Sequence, residues 1–293
     1  MSIKSVMQPA IKQNSLYRCV SSTFEGYYFK HQKGNDAISF IVGKSGDHSF
    51  IQILTDNDSY YFTFPKNEYR KNNIIKIGNC IFSRKGIVID ICENELTIKG
   101  RIRYADLTPI KYDIMGFFKY FPMECTHGIV SMRHNLYGKL CINGRTVDFD
   151  NGLGYIESDK GVSFPKRYIW TQCNFNCDCS VSLSVARIPF MNFCFPGCIC
   201  VVCFNHKEYR LATYLGVRIE LCDERNIILK QGKYLLVAEM SPSVGQTLSA
   251  PQNGKMTRTI VECLSCPVRI KFYERGKLLF DLSSEKGSYE CML

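Results

Sequence analysis

Apolar and polar residues alternate along most of this chain. The runs "YYFKHQ", "AISFIVG", "SFIQILTD" and "SYYFTFP" follow one another between Tyr27 and Pro65. Each is rich in aromatic and β-branched residues, which fit a pleated, half-buried surface. Turn clusters divide them, Lys33-Gly34-Asn35-Asp36 and Asp56-Asn57-Asp58 among them. Short runs of period two, punctuated by Gly, Asn and Asp, predict an antiparallel meander. "CIFSRKGIVIDICENELTIKGRIRYAD" continues it with short strands and polar turns. The later half repeats the style in "RLATYLGVRIELCDERNIILKQGKYLLVAEM" and "RTIVECLSCPVRIKFYERGKLLFDLSS". No segment keeps the longer period of an amphipathic helix, apart from a short helix expected near Ile114–Phe121. The pattern predicts an all-β fold of two antiparallel barrels or sandwiches. Asp150-Asn151-Gly152 and Phe164-Pro165 are both breakers, so the two units should meet around them. The boundary is placed between Tyr155 and Ile156, giving domains 1–155 and 156–293.

Composition changes this picture only at the margins. A chain of 293 residues has room for two cores. It holds 17 Tyr and 19 Phe but one Trp, which favours strands and makes that Trp conspicuous. The net charge of +10 is spread out: residues 1–150 carry 20 Lys/Arg against 14 Asp/Glu, and residues 151–293 carry 17 against 13. A diffuse excess gives weak attraction to anions, membrane surfaces included, and no stripe for nucleic acid. The start "MSIKSVMQPAIKQNS" has no apolar core of a secretory signal, and no run approaches the ~20 apolar residues of a spanning helix. A cytoplasmic location is expected. The most apolar run, "FMNFCFPGCICVVCF" from Phe190 to Phe204, is broken by Pro196 and Gly197 and reads as strand.

Sixteen cysteines are many. The pairs Cys200/Cys203 and Cys263/Cys266 have C-x-x-C spacing, but they lie too far apart for a compact zinc ribbon. Cys198 and Cys200 alternate within an apolar strand and share a face. Free thiols packed as small hydrophobes are expected, with no metal.

Polar chemistry concentrates in "GLGYIESDKGVSFPKRYIWTQCN", Gly152 to Asn174. If Tyr155–Asp159 is extended, Tyr155, Glu157 and Asp159 point the same way. Two neighbouring carboxyl groups repel, so one should keep its proton. In "YIWTQCN", Tyr168, Trp170, Gln172 and Asn174 share a face, aromatic and amide-bearing. Upstream, "MECTHGIVSMRHN" puts His127 and Ser131 on one face and Glu124 and His134 on the other, if no bulge intervenes. Two readings stay open: a junction tied by hydrogen bonds, or the wall of a pocket.

These residues carry a resemblance. The block from Met123 to Asn174 resembles the tocopherol cyclase-like family, whose pattern reads approximately G-Y-x-E-x-D-W-G-x-x-F-P, then W-x-Q-x-N. Here the positions are Gly154, Tyr155, Glu157, Asp159, Gly161, Phe164 and Pro165, then Trp170, Gln172 and Asn174. "GYYFKHQ" is similar to the family's G-W-Y-F-K opening. Two positions depart: Lys160 stands where an aromatic is usual, and Tyr27 replaces the opening Trp. The resemblance implies two lipocalin-like β-barrels. It implies protonation of an alkene followed by oxygen capture of the cation, as in ring closure of a prenylated quinol, with no cofactor. Asp159 or Glu157 would be the acid, and Tyr155 and Trp170 the aromatic wall. Gln172 and Asn174 would orient a hydroxyl, with His127 beside them. Lys160 could instead pair with Asp159 and hold it ionised. A non-catalytic carrier of a hydrophobic isoprenoid or quinol is the alternative. The sequence gives no oligomeric state.

Overall fold

The computed structural model describes residues 23–46, 48–93, 96–190 and 193–293. The opening segment "MSIKSVMQPAIKQNS", on which the expected absence of a leader rested, lies outside them. Twelve strands make the first sheet: β1 (Phe24–Lys33), β2 (Asp36–Ser45), β3 (His48–Thr55), β4 (Ser59–Pro65), β5 (Arg70–Lys71), β6 (Ile74–Ile77), β7 (Cys80–Ser83), β8 (Gly86–Glu93), β9 (Leu96–Ala105), β10 (Cys125–Ile142), β11 (Arg145–Asp148) and β12 (Gly152–Gly161). Ten make the second: β13 (Tyr168–Asn174), β14 (Cys179–Phe190), β15 (Phe193–Phe204), β16 (Lys207–Ala212), β17 (Arg218–Cys222), β18 (Asn226–Gln231), β19 (Tyr234–Met240), β20 (Gln246–Gln252), β21 (Lys255–Glu274) and β22 (Lys277–Met292). The helix expected near Ile114–Phe121 is a single 3₁₀ turn, Gly116–Tyr120. Among the described residues no α-helix forms, and none is long and apolar enough to cross a membrane.

Alternation builds each sheet. On β8, Ile87, Ile89 and Ile91 point inward while Val88 and Asp90 turn away. The first sheet curls until residues near its two edges, Phe62 on β4 and Ile75 on β6, share one core with Phe40, Phe82 and Leu140. The second curls likewise, bringing Leu211 of β16 and Ile227 of β18 together around Phe272. Turn chemistry fits the hairpins: Asn143-Gly144 joins β10 to β11 with φ of 48° and 82°, the left-handed pair a two-residue turn of this hand needs.

The two curled sheets meet along β1 and β12 on one side and β13 and β22 on the other. Tyr28, Met132, Tyr155 and Trp170 pack between them, as do Leu54, Leu248 and Leu264 further along. β12 belongs wholly to the first sheet, and the sheets part only between Gly161 and Tyr168. The junction therefore falls later than the 155/156 boundary. Of the two breakers, Asp150-Asn151-Gly152 only turns the chain into β12, whereas Phe164-Pro165 separates the sheets. Arg258 holds that linker, donating to the carbonyls of Pro165 (2.7 Å) and Lys166 (2.8 Å).

Gly154 has a packing reason. Its position on β12 faces the first barrel's interior, where His134 packs at a tilt against Tyr104 with ring centroids 4.4 Å apart. A Cβ at Gly154 would sit 2.2 Å from His134 Nε2. The ring is buried and cannot swing out. Gly154→Ala is expected to destabilise the protein by about 1–3 kcal/mol, the usual cost of overpacking. Chemical denaturation measures it, and an unchanged midpoint would show that the ring gives way.

Candidate functional site

A cavity of about 180 Å³ lies between the barrels. β1 and β12 form one wall, with Tyr28, Glu157 and Asp159; β13 and β22 form the other, with Tyr168, Trp170 and Glu290. The segment before β10 closes one side with Met115, Phe118 and Met123. Aromatic rings dominate: Tyr28 meets Trp170 edge to face at 5.6 Å, and Phe24 meets Phe164 likewise at 5.6 Å.

The polar groups gather at one place. On β12 the odd-numbered residues Tyr155, Glu157 and Asp159 face the second sheet, as alternation requires, and Ile156 enters the first core. The adjacent β10 brings His127 directly opposite Asp159. His127 Nδ1 lies 3.0 Å from Asp159 Oδ1, and its Nε2 lies 3.6 Å from Glu157 Oε2. Tyr155 donates its hydroxyl to Glu157 Oε2 at 2.5 Å and also meets Ser182 Oγ at 3.1 Å. The thiol of Cys125 approaches Asp159 Oδ1 at 3.5 Å.

Burial, with the charge of Asp159 adding to it, pushes Glu157 up to about 7, although the charge of His127 and the Tyr155 hydrogen bond oppose the shift. Burial alone would lower His127. The charges of Asp159 and Glu157, with the Asp159 hydrogen bond, outweigh it and raise the imidazole to about 9. The resting arrangement is thus an imidazolium paired with Asp159, beside a Glu157 carboxyl that readily holds a proton. His127, Glu157 and Asp159 also form the one His/Cys/Asp/Glu group among the described residues whose ligand-type atoms all lie within 4.8 Å of one another. An imidazolium has no lone pair to give, so a metal would first have to displace a proton that two carboxyl groups favour.

Not every residue singled out from the sequence reaches the cavity. His127, Glu157, Asp159 and Trp170 line it; Tyr155 lies behind Glu157 and is fully buried. Gln172 and Asn174 do not line it. They continue the face of Trp170 deeper between the sheets, where Asn174 donates to the Gly154 carbonyl at 3.2 Å. Ser131 does not share the face of His127. Irregularities in the β10–β12 register, on either side of Ser131, turn it inward to meet His134 Nδ1 at 3.2 Å. Lys160 is exposed and, by alternation, on the far face of β12; the counter-charge beside Asp159 is His127. Cys198 and Cys200 sit in the second core, as do Cys173, Cys179, Cys263 and Cys266.

Glu290 and Tyr168 complete the site from the second sheet, with Tyr168 donating to Glu290 Oε2 at 2.5 Å. From the opposite wall Tyr28 donates to the buried Glu262 Oε1, also at 2.5 Å. Comparison with family profiles matches residues 41–291 to the profile described as tocopherol cyclase-like. The chain belongs to the tocopherol cyclase-like family. Among solved structures, kievitone hydratase from Nectria haematococca superposes with a TM-score of 0.54 at 10% identity, covering 92% of this chain and 88% of that one. CghA with Sch210972 superposes with a TM-score of 0.58 at 7% identity, covering 93% and 89%. At such identities the likeness is one of fold, a pair of antiparallel β units. A comparison with curated proteins found no significant match. Glu157 and Asp159 are the acidic members of the cluster with His127, Gly154 leaves room for His134, and Trp170 is a cavity wall.

Proposed function

We propose that the cavity performs acid-promoted addition of oxygen to an alkene, in the form of cyclisation of a prenylated quinol or a related isoprenoid. The observation that carries this reading is the Glu157 carboxyl, proton-bearing near neutrality, set among aromatic rings between the barrels. Glu157 gives its proton to the prenyl double bond. The resulting tertiary cation faces Tyr28, Trp170 and Tyr168, whose ring faces favour positive charge. The carboxylate left behind is stabilised by the Tyr155 hydroxyl and the charge of His127, while Asp159 keeps His127 charged and oriented. A hydroxyl of the same molecule captures the cation, forming a C–O bond. Its proton returns to Glu157, so the product is an isomer and the protein ends as it began. The family supports this chemistry, and the apolar, partly closed cavity supports it by limiting capture by bulk water.

The sign of the pH dependence follows from the donor. Glu157 works in its protonated form, and its titration near 7 sets the limit. Turnover of prenylhydroquinone, a probe with a short chain suited to the cavity, is expected to be level below about pH 7. Above that it should fall about tenfold per pH unit. A rate that rises with pH would remove Glu157 as the acid.

A further inference from the structure

The two sheets share one strand order. The first runs β4-β3-β2-β1-β12-β10-β9-β8 and the second β16-β15-β14-β13-β22-β21-β19-β18. In each, the first strand of the unit pairs antiparallel with its last: β1 with β12, and β13 with β22. The correspondence extends to residues. Tyr28 on β1 lies directly across from Glu157 on β12. Trp170 on β13 lies directly across from Glu290 on β22. Each barrel thus presents one aromatic and one glutamate side by side at the centre of its seam, and all four line the cavity.

Glu290 also resembles Glu157 in its bonding. Each has one carboxyl oxygen taken by a tyrosine hydroxyl at 2.5 Å, Tyr155 for Glu157 and Tyr168 for Glu290. The difference is the surroundings. Glu157 has the His127 imidazole beside it, whereas the charges that weigh most on Glu290 are acids: Glu262 next to it on β21, and Glu157 and Asp159 across the cavity. Burial first, then the neighbouring Glu262, hold the Glu290 carboxyl well above the usual range. A carboxyl group that keeps its proton, with one oxygen fixed by Tyr168, has a donor to offer a ligand.

We propose that Glu290, held by Tyr168, is the second working carboxyl group of the cavity, and that it donates a hydrogen bond to an oxygen of the bound ligand. The inference rests on the reading of the cavity as a site for an oxygen-bearing isoprenoid. It adds that the ligand's oxygen is recognised from the second barrel, while the proton for its alkene comes from the first. Glu290 is therefore a binding residue that selects hydroxylated ligands over hydrocarbons of the same shape.

The lone tryptophan reports on this directly, since Trp170 lies in the cavity beside Glu290. Binding of prenylhydroquinone and of prenylbenzene, which lacks the hydroxyls, can be followed by Trp170 fluorescence in the intact chain. The wild type is expected to prefer the hydroquinone by about tenfold or more. Glu290→Gln, which can still donate, should keep most of that preference. Glu290→Leu should abolish it while binding prenylbenzene as well as the wild type does. A purely structural role would weaken both probes alike, and that result would overturn the inference. So would an undiminished preference in Glu290→Leu. Should the leucine variant fail to fold, Tyr168→Phe provides the test. It keeps the ring, removes the hydroxyl that fixes the carboxyl, and should cost about threefold of the preference; no change would overturn the proposal. Failure of the wild type to bind either probe would instead remove the underlying reading of the cavity, and the inference with it.

Discussion

Replacing Glu157 by glutamine is expected to lower turnover of prenylhydroquinone by about 10²–10⁴-fold, the usual loss when a general acid is removed. Affinity for the probe should change little, because the amide has nearly the carboxyl's size and can still accept the Tyr155 hydroxyl. The comparison with Asp159→Asn separates donor from support. Asp159 holds His127 at 3.0 Å and supplies the charge that keeps it protonated. Its loss should cost less than the loss of Glu157 and should shift the pH profile, since His127 would no longer be held as an imidazolium. Should Asp159→Asn be the more damaging change, with Glu157→Gln nearly active, the proton donor would be Asp159 and the assignment made here would fail.

Loss of Arg210 should have the largest effect on stability. Its guanidinium is buried against Glu208 at 2.9 Å. It also donates to the carbonyls of Tyr112 and Asp113, both at 2.8 Å, and stacks 3.6 Å from the Tyr112 ring centroid. Glu208 in turn accepts the Lys111 amide at 2.8 Å. This one ion pair fastens the 111–113 segment to the second barrel. The same segment leads into Met115 and Phe118, which close the cavity. Arg210→Met would leave a buried carboxylate without its counter-ion and two carbonyls without donors, a change that typically costs about 3–5 kcal/mol. Urea denaturation should show that drop. Ligand dissociation should quicken too, because the closing segment loses its anchor. A stability change below about 1 kcal/mol would mean that Tyr214, whose hydroxyl donates to the Ile114 carbonyl at 2.9 Å, and the Lys111–Glu208 bond hold the segment without it.

Much of this was legible from period-two patterning, because a strand's geometry is local. The alternation that buries Ile87, Ile89 and Ile91 also fixes Tyr155, Glu157 and Asp159 on one face, whatever that face meets. Three things were not local. The distance a cavity extends along a strand depends on the opposing sheet, so Gln172 and Asn174 share the face of Trp170 and still miss the cavity. A bulge shifts every later residue, so His127 and Ser131 part company although their spacing predicts otherwise. Partners brought from far along the chain leave no mark near the motif. Glu290 became visible only when β22 paired with β13 and brought it to Tyr168, which the sequence already placed on the face of Trp170. Lys160 shows the reverse case, a charge adjacent in sequence and remote in space, because successive residues on a strand point to opposite faces.

If Glu157 is the acid, a proton from the cavity enters a carbon of the ligand. Incubating the protein with prenylhydroquinone in D₂O and analysing the recovered material by mass spectrometry and NMR tests it most directly. A cyclised isomer carrying one non-exchangeable deuterium at the former alkene is expected, formed by wild type and greatly reduced with Glu157→Gln. Probe bound by the protein and recovered unchanged, with no deuterium on carbon, would contradict it and leave a carrier in its place.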